Sequence, residues 1–384
     1  MSEPSSSSSA APHNPPFRAD HVGSLLRPPE LLHAREDYKA GRIGDAELRA
    51  IENDAIRSAI AFQESVGLQS ITDGEYRREV FYTDFYCRGL GGVTVAYDPS
   101  SIDEDAFFID RQGHKLPLIV PRVHGRMRWC GPIHVDDFTF IRAATNRTPK
   151  ITIPSPTIIH FRAGRRNISA DVYPDLDLFW DDIVDAFHRE LAALHDAGCR
   201  YVQIDETTLA SLSDERVWEQ MRRRGDAGRT MLLKTYPEIM NRAFAGRPTG
   251  LHLAMHLCRG NNQSHWSAEG GYDLVADTLF NTLNVDSYFL EYDTERAGSF
   301  APLRLVPRNK TVVLGLISSK FPELESKDAV KRRIDEATKY IALDQLALSP
   351  QCGFASTAPG NRVSVEDERA KLALVVEIAS EVWG

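Results

Sequence analysis

Leu251–Asn262 reads LHLAMHLCRGNN. With a period of two, Leu251, Leu253, Met255 and Leu257 fall on one face and His252, Ala254, His256 and Cys258 on the other. That is the alternation of a strand, whose successive side chains point to opposite sides. Arg259-Gly-Asn-Asn262 follows at once and is loop chemistry, so His256 and Cys258 stand together where a strand ends. An imidazole beside a thiol at such a place suits a soft divalent metal. The plain alternative is a His and a Cys packed in a core.

Working outward, the same arrangement recurs. Phe17–Ser24 is a short strand-to-loop piece, and Leu68–Asp73, Ile151–Pro156, Tyr201–Asp205, Ser287–Asp293, Thr311–Ile317 and Leu346–Cys352 read as strands. Helical patterns separate them: Asp45–Val66 closed by Gly67, Phe179–Ala197 closed by Gly198, Trp218–Phe244, Tyr272–Leu283, Ser326–Leu343 and Val365–Val382. Pro28-Pro29 opens a further helical region. Val80–Asp110 is aromatic and irregular, and Leu116–Trp129 reads as a strand pair with no helix after it, an antiparallel excursion. Strands alternating with helices mean βαβ units and a parallel sheet. Eight such units predict a single TIM (β/α)8 barrel over residues 17–384. A doubly wound sheet is the alternative, but no G-x-G-x-x-G follows the first strand and no Walker motif is present.

The composition is that of a globular protein, 42% hydrophobic and 26% charged. A net charge of -9 argues against non-specific binding to nucleic acid or to anionic membranes. No apolar run is long enough to span a bilayer. The five cysteines, at 87, 130, 199, 258 and 352, are odd in number and scattered, which is no disulfide framework. With no apolar leader at the start, the reducing cytoplasm is the expected compartment. Residues 1–16, rich in Ser and Pro, are expected to be a disordered tail.

A barrel's active site lies at the carboxyl ends of its strands. This chain places Asp20, His21 and Ser24 at the first such end, then Asp73 and Glu75, Asp205 and Glu206, His256 and Cys258, Glu291 and Asp293, and finally Cys352. The opposite ends read Val, Ile, Leu and Tyr. His256, Cys258, Glu291 and Cys352 make an N, S, S, O set, which favours zinc. Four protein ligands ordinarily close a zinc site, whereas the mouth of a barrel is a substrate site. The two fit together where one ligand, most simply Glu291, yields to an incoming thiol, which the metal keeps ionised at pH 7.

These residues resemble the catalytic C-terminal barrel of cobalamin-independent methionine synthase, and most of all the short single-barrel members of that family. The resemblance covers residues 17–384 and rests on His-Val-Gly-Ser (21–24), Thr-Asp-Gly-Glu (72–75), Gln-Ile-Asp-Glu (203–206), His-Leu-Cys (256–258), Phe-Leu-Glu (289–291) and Ser-Pro-Gln-Cys-Gly (349–353). It implies that His256, Cys258, Glu291 and Cys352 bind Zn2+, and that Ser24, Glu75 and Asp205 hold the amino-acid part of homocysteine. It implies a methyl transfer to the homocysteine thiol from 5-methyltetrahydrofolate or another small donor. Two positions depart from the family pattern. Ser211 stands where the synthase has a folate-binding acid, and Lys320 where it has a proton-donating histidine. A lysine is the weaker acid at neutral pH, so Lys320 is either a tuned general acid or a cationic contact to an anionic donor. Rival readings are a zinc-dependent thiol alkyltransferase acting on an epoxide or other alkyl group, a cofactor-free decarboxylase of the uroporphyrinogen type, and a non-catalytic barrel with structural zinc.

Overall fold

The computed structural model describes residues 15–99, 108–109, 112–211, 213–223 and 231–384. The predicted disordered tail lies, over residues 1–14, outside the described residues.

The predicted strands assemble into a parallel sheet of six in the order Leu346–Pro350, Thr311–Ile317, Ser287–Glu291, His252–Leu257, Tyr201–Glu206, Ile151–Pro154. Nearly all their residues are buried, as the unbroken apolar runs require of a parallel sheet covered on both faces. Two short elements extend the sheet, one beyond each edge. Ala19 bridges Leu348 in parallel, and Ser70–Ile71 pairs in parallel with Thr148–Pro149, just before the Ile151 strand. The Ala19 and Ser70 segments meet through side chains: Ser70 Oγ donates to Asp20 Oδ1 at 2.6 Å and Thr72 Oγ1 to the Gly23 carbonyl at 2.7 Å. The arrangement is a mixed α/β fold consistent with a barrel.

Alternation divides the strand side chains. Val202, Ile204, Leu253, Met255, Leu257, Leu290, Val312 and Leu314 join the large core shared with the helices. Tyr201, Ala254, Phe289, Val313 and Ala347 form a separate apolar cluster with Val22 on the other face. Two residues further along that face come Asp205's neighbour Gln203, then His256 and Glu291. The period of two thus carries polar groups to the end of the same face that is apolar lower down.

The helices Pro29–Lys39, Asp45–Ser65, Asp177–Asp196 and Val365–Trp383 fall where their patterns predict. Gln63 of the Asp45 helix clamps a strand end, donating from Nε2 to the Thr72 carbonyl and accepting from the Thr72 N–H, both at 2.9 Å. Three expectations are corrected. Val80–Asp110 is not simply irregular: it holds a helix, Thr83–Gly89, and a strand, Leu90–Asp98. Leu118–Trp129 is one strand, not two, and pairs antiparallel with Leu90–Asp98. The alternation of Leu90–Asp98 is masked by a register shift between Gly91 and Val93, where Gly92 adopts φ +82°. A Cβ at Gly92 would lie 2.6 Å from the Arg126 carbonyl. Tyr272–Leu283 is not a full helix: its last turn, Thr278–Thr282, is a π turn. Trp218–Phe244 contains the helices Glu215–Arg223 and Tyr236–Ala245, while residues 224–230 of that expected helix lie outside the described residues. No helix among the described residues is long and apolar enough to cross a membrane.

The last helix begins with a capping box, Ser364 and Asp367 bonding each other's backbone N–H. One turn on, Glu368 is buried and accepts the Leu26 N–H at 3.2 Å. Burial pushes its carboxyl up to about 8, although the Leu26 bond opposes the shift. Folding therefore favours the protonated acid. The stability this contributes is fully present below the ordinary carboxyl range and is lost as pH rises through about 8. Glu368→Gln is expected to match the wild type in urea unfolding at pH 5 and to exceed its midpoint at pH 9. An unchanged gap between the two proteins across that range would show that Glu368 is already ionised in the fold.

Candidate metal centre and substrate cleft

Parallel register sets the centre. Asp205 lies opposite His256, and His256 opposite Phe289, two residues before Glu291. Cys258 follows one residue after the His252 strand, and Cys352 two residues after the Leu346 strand. The ligand atoms of His256, Cys258 and Cys352 all lie within 4.8 Å of one another, and all three residues are buried. Zinc bonds of about 2.0–2.3 Å place tetrahedral ligands roughly 3.3–3.8 Å apart, so the cluster has the right dimensions. Neither ring nitrogen of His256 makes a hydrogen bond of sound geometry, though both are buried. An orphaned imidazole between two thiols is a donor set suited to a soft cation.

The three groups polarise each other. The hydrogen bond between the thiols holds Cys352 well below the usual thiol range, helped by His256 and Lys320 and opposed by burial. The same bond, with burial, pushes Cys258 well above that range. Burial disfavours the His256 imidazolium, but Cys352, Asp205 and Glu291 outweigh it and raise the ring.

Glu291 stands apart from this trio. Its Oε2 accepts the Arg259 N–H at 2.7 Å, and Oε1 pairs with Arg296 and lies 3.8 Å from Lys320 Nζ. Burial alone would raise this carboxyl, but Lys320, Arg296 and Arg259 hold it at about 2. Lys320 is buried, and its Nζ has no hydrogen-bond partner.

The three residues expected to hold an amino acid line one cleft together with His256, Cys258 and Cys352. Glu75 sits at φ +60°, a left-handed conformation rare for a residue with a Cβ. Asp73 Oδ1 accepts its N–H at 2.9 Å, and Thr152 Oγ1 donates to its carboxylate at 2.8 Å. Burial and the Glu75 charge push Asp205 up to about 7, against the pull of His256, Gln203 and Arg78. Ser24 Oγ accepts the Ala355 N–H at 3.3 Å, and a Cβ at Gly353 would fall 1.9 Å from that oxygen. Glycine at 353 therefore lets Ser24 approach the loop that carries Cys352.

Several participants escape a reading of motifs. Arg259 and Arg296 neutralise Glu291, yet one looks like loop punctuation and the other like a surface charge in sequence. Arg162 and Thr207 line the cleft. Lys150, fully buried, ion-pairs with Asp20 at 2.9 Å and reaches Gln203 Oε1 at 3.3 Å. That contact leaves the Gln203 amide N–H2 to donate to Asp205 Oδ1 at 2.8 Å and the Val22 carbonyl at 2.7 Å. Only Gln203 carried a signal, through its place beside Asp205.

A parallel α/β fold here brings an imidazole and two thiols together at the strand ends of a carboxylate-lined cleft, a donor set that could hold a soft cation. The chain belongs to the family described as the catalytic domain of cobalamin-independent synthase, which matches residues 17–381. At the family level these are methionine-synthase-like methyltransferases acting on homocysteine. The chain is 44% identical over 372 residues to the uncharacterized Bacillus subtilis protein YxjG, covering 96% of this chain and 95% of that one. A structure described as a B12-independent methionine synthase from Listeria monocytogenes superposes with TM-score 0.74 at 35% identity, covering 96% and 98% of the two chains. A B12-independent methionine synthase from Shewanella sp. W3-18-1, in complex with selenomethionine, shares the fold with TM-score 0.70 at 21% identity, covering 94% and 96%.

Lys150→Met would leave Asp20 ionised and unpaired in the interior. A loss of about 3–5 kcal/mol in urea unfolding is expected, with part recovered in Lys150→Met/Asp20→Asn. A single variant as stable as the wild type would remove the pair from any structural role.

Proposed function

We propose that this chain is a zinc-dependent S-methyltransferase that makes methionine from homocysteine, built on a closed (β/α)8 barrel. The observation that carries the proposal is the convergence of His256, Cys258 and Cys352 on one cleft with Asp205, Glu75 and Ser24. His256, Cys258 and Cys352 would hold the zinc, with Glu291 as the exchangeable fourth ligand. Arg259, Arg296 and Lys320 support that role for Glu291, because they keep its carboxylate satisfied whether or not it is bound. A zinc here supplies ionisation of the substrate thiol at neutral pH.

The chain's own groups do the rest. Asp205 and Glu75 receive the α-ammonium of homocysteine, and an arriving cation returns Asp205 to its ionised form. Ser24 and the adjacent backbone face the α-carboxylate. Held at both ends, the sulfur attacks the methyl carbon in line; the S–C bond forms as the donor's N–C bond breaks. The departing nitrogen needs a proton, and Lys320 is assigned to give it or to fix an anionic donor. Methyltetrahydrofolate or another small methylated amine would serve. A substrate thiol and two ligand thiols stay reduced in the cytoplasm, which is where this chemistry belongs. The Shewanella neighbour's selenomethionine is the selenium counterpart of the proposed product. A cofactor-free decarboxylase would leave the two converging thiols without a role.

Metal analysis of the purified protein should find one zinc per chain, and Cys258→Ser and Cys352→Ser should each lose most of it. Full occupancy in both variants would sink the ligand assignment. Asp205→Asn should keep its zinc yet bind homocysteine about tenfold to a hundredfold more weakly, the value of one charged hydrogen bond. Lys320→Ala should bind homocysteine normally and form methionine slowly. Unchanged homocysteine affinity in Asp205→Asn would mean that the thiol substrate has no amino-acid end.

A further inference from the structure

Arg27 stands three residues after Ser24. Its side chain is buried, yet among the described residues it hydrogen-bonds no carboxylate. It donates to four backbone carbonyls instead. Nη2 reaches those of Glu75 and Arg78, both at 2.8 Å. Nη1 reaches those of Ala355 and Thr357, at 3.1 and 3.4 Å. Burial lowers the guanidinium to about 10, with the Glu75 charge opposing, so the group stays ionised at neutral pH. A planar fork with its donors in fixed directions thereby holds two stretches of backbone at a set separation.

Those two stretches carry residues proposed to hold the substrate. The first is the turn from Glu75 to Arg78, closed by the Arg78 N–H on the Glu75 carbonyl at 3.1 Å. Glu75 is left-handed there, a conformation that persists only where the surroundings impose it. The Arg78 guanidinium lies 3.7 Å from the Glu75 carboxylate, so pinning both carbonyls fixes the acid together with the cation beside it. The second stretch follows Cys352. Its Phe354 N–H donates to the Ser24 carbonyl at 2.9 Å and its Ala355 N–H to Ser24 Oγ at 3.3 Å. Thr357 lines the cleft with Glu75 and Ser24, whereas Arg27 does not line it. We infer that Arg27 is a positioning residue that holds the Glu75 carboxylate at the spacing from Ser24 and Cys352 that a thiol amino acid requires. This role rests on the homocysteine reading above. It makes Arg27 a determinant of which thiols bind, sorted by whether they carry an α-ammonium.

4-Mercaptobutyrate is homocysteine without its amino group, so the ratio of the two affinities measures the ammonium contact by itself. Both thiols are titrated calorimetrically into the full-length, zinc-loaded protein. The wild type should prefer homocysteine about tenfold or more, the value of a charge-assisted hydrogen bond. Arg27→Met should keep its zinc and its affinity for 4-mercaptobutyrate, and lose as much of the preference as Glu75→Gln does. Arg27→Met/Glu75→Gln should lose no more than either single variant, because both act through one contact. Arg27→Lys, which can hold the carbonyls of one stretch but cannot fork across both, should recover part of the preference. Urea unfolding midpoints check that each variant folds, and Arg27→Lys takes the place of Arg27→Met in the cycle if the latter does not. A full preference in Arg27→Met, an equal loss of affinity for both thiols, or additive losses in the double variant would each overturn the role of Arg27 and leave the homocysteine reading standing. A wild type without any preference would overturn both, since the thiol substrate would then have no amino-acid end.

Discussion

The buried ion pair of Asp20 and Lys150 is the constraint on which the rest of the structure depends. Taking two charges out of water is expensive, and the attraction between them offsets that only when every remaining lone pair and proton is placed. Here they are. Asp20 accepts from Ser70 Oγ, Tyr201 Oη, Lys150 Nζ and the His21 N–H. Its own N–H donates to the Leu348 carbonyl at 3.0 Å. One residue, through its carboxylate and its N–H, thus gathers segments from residues 70, 150, 201 and 348, which lie across the whole chain. Lys150 also hydrogen-bonds the His21 carbonyl and lies 4.8 Å from the Phe289 ring centroid. On the same face of the sheet, Val22, Tyr201, Ala254, Phe289, Val313 and Ala347 form an apolar cluster beside this polar knot.

The knot is tied to the chemistry above it. Lys150 orients Gln203, and Gln203 donates to Asp205. The side chain that pairs with Asp20 therefore also orients the amide that bonds the Asp205 carboxylate. The upper layer follows the same rule of local compensation. Glu291 lies among Arg259, Arg296 and Lys320, and Glu75 among Thr152 and Arg78. His256 is left without a hydrogen bond of sound geometry to either ring nitrogen. At His256 the missing partner lies beside two thiols, a setting in which a soft cation would satisfy the ring.

What the sequence by itself determined was what depends on neighbours a few residues away. The alternation of Leu251–Cys258 placed His256 and Cys258 at a strand end, and the spacing of Asp45–Ser65 and Val365–Trp383 placed their helices, because both periods are local. The cysteine beside Gly353 and the acids after the strands were equally plain, and Cys352, Glu75 and Asp205 fall in one cleft. The sequence concealed the Leu90–Asp98 strand, because the bulge at Gly92 breaks the period on which such a reading relies. Tertiary structure alone decided which charges meet. Lys150 precedes a proline-bounded strand and gives no sign that Asp20, 130 residues earlier, is its partner. Arg296 looks like a solvated charge until Glu291 is seen to lie against it. Pairings of this kind are fixed by strand register and loop closure over long separations, and a linear pattern carries no record of distance across the fold.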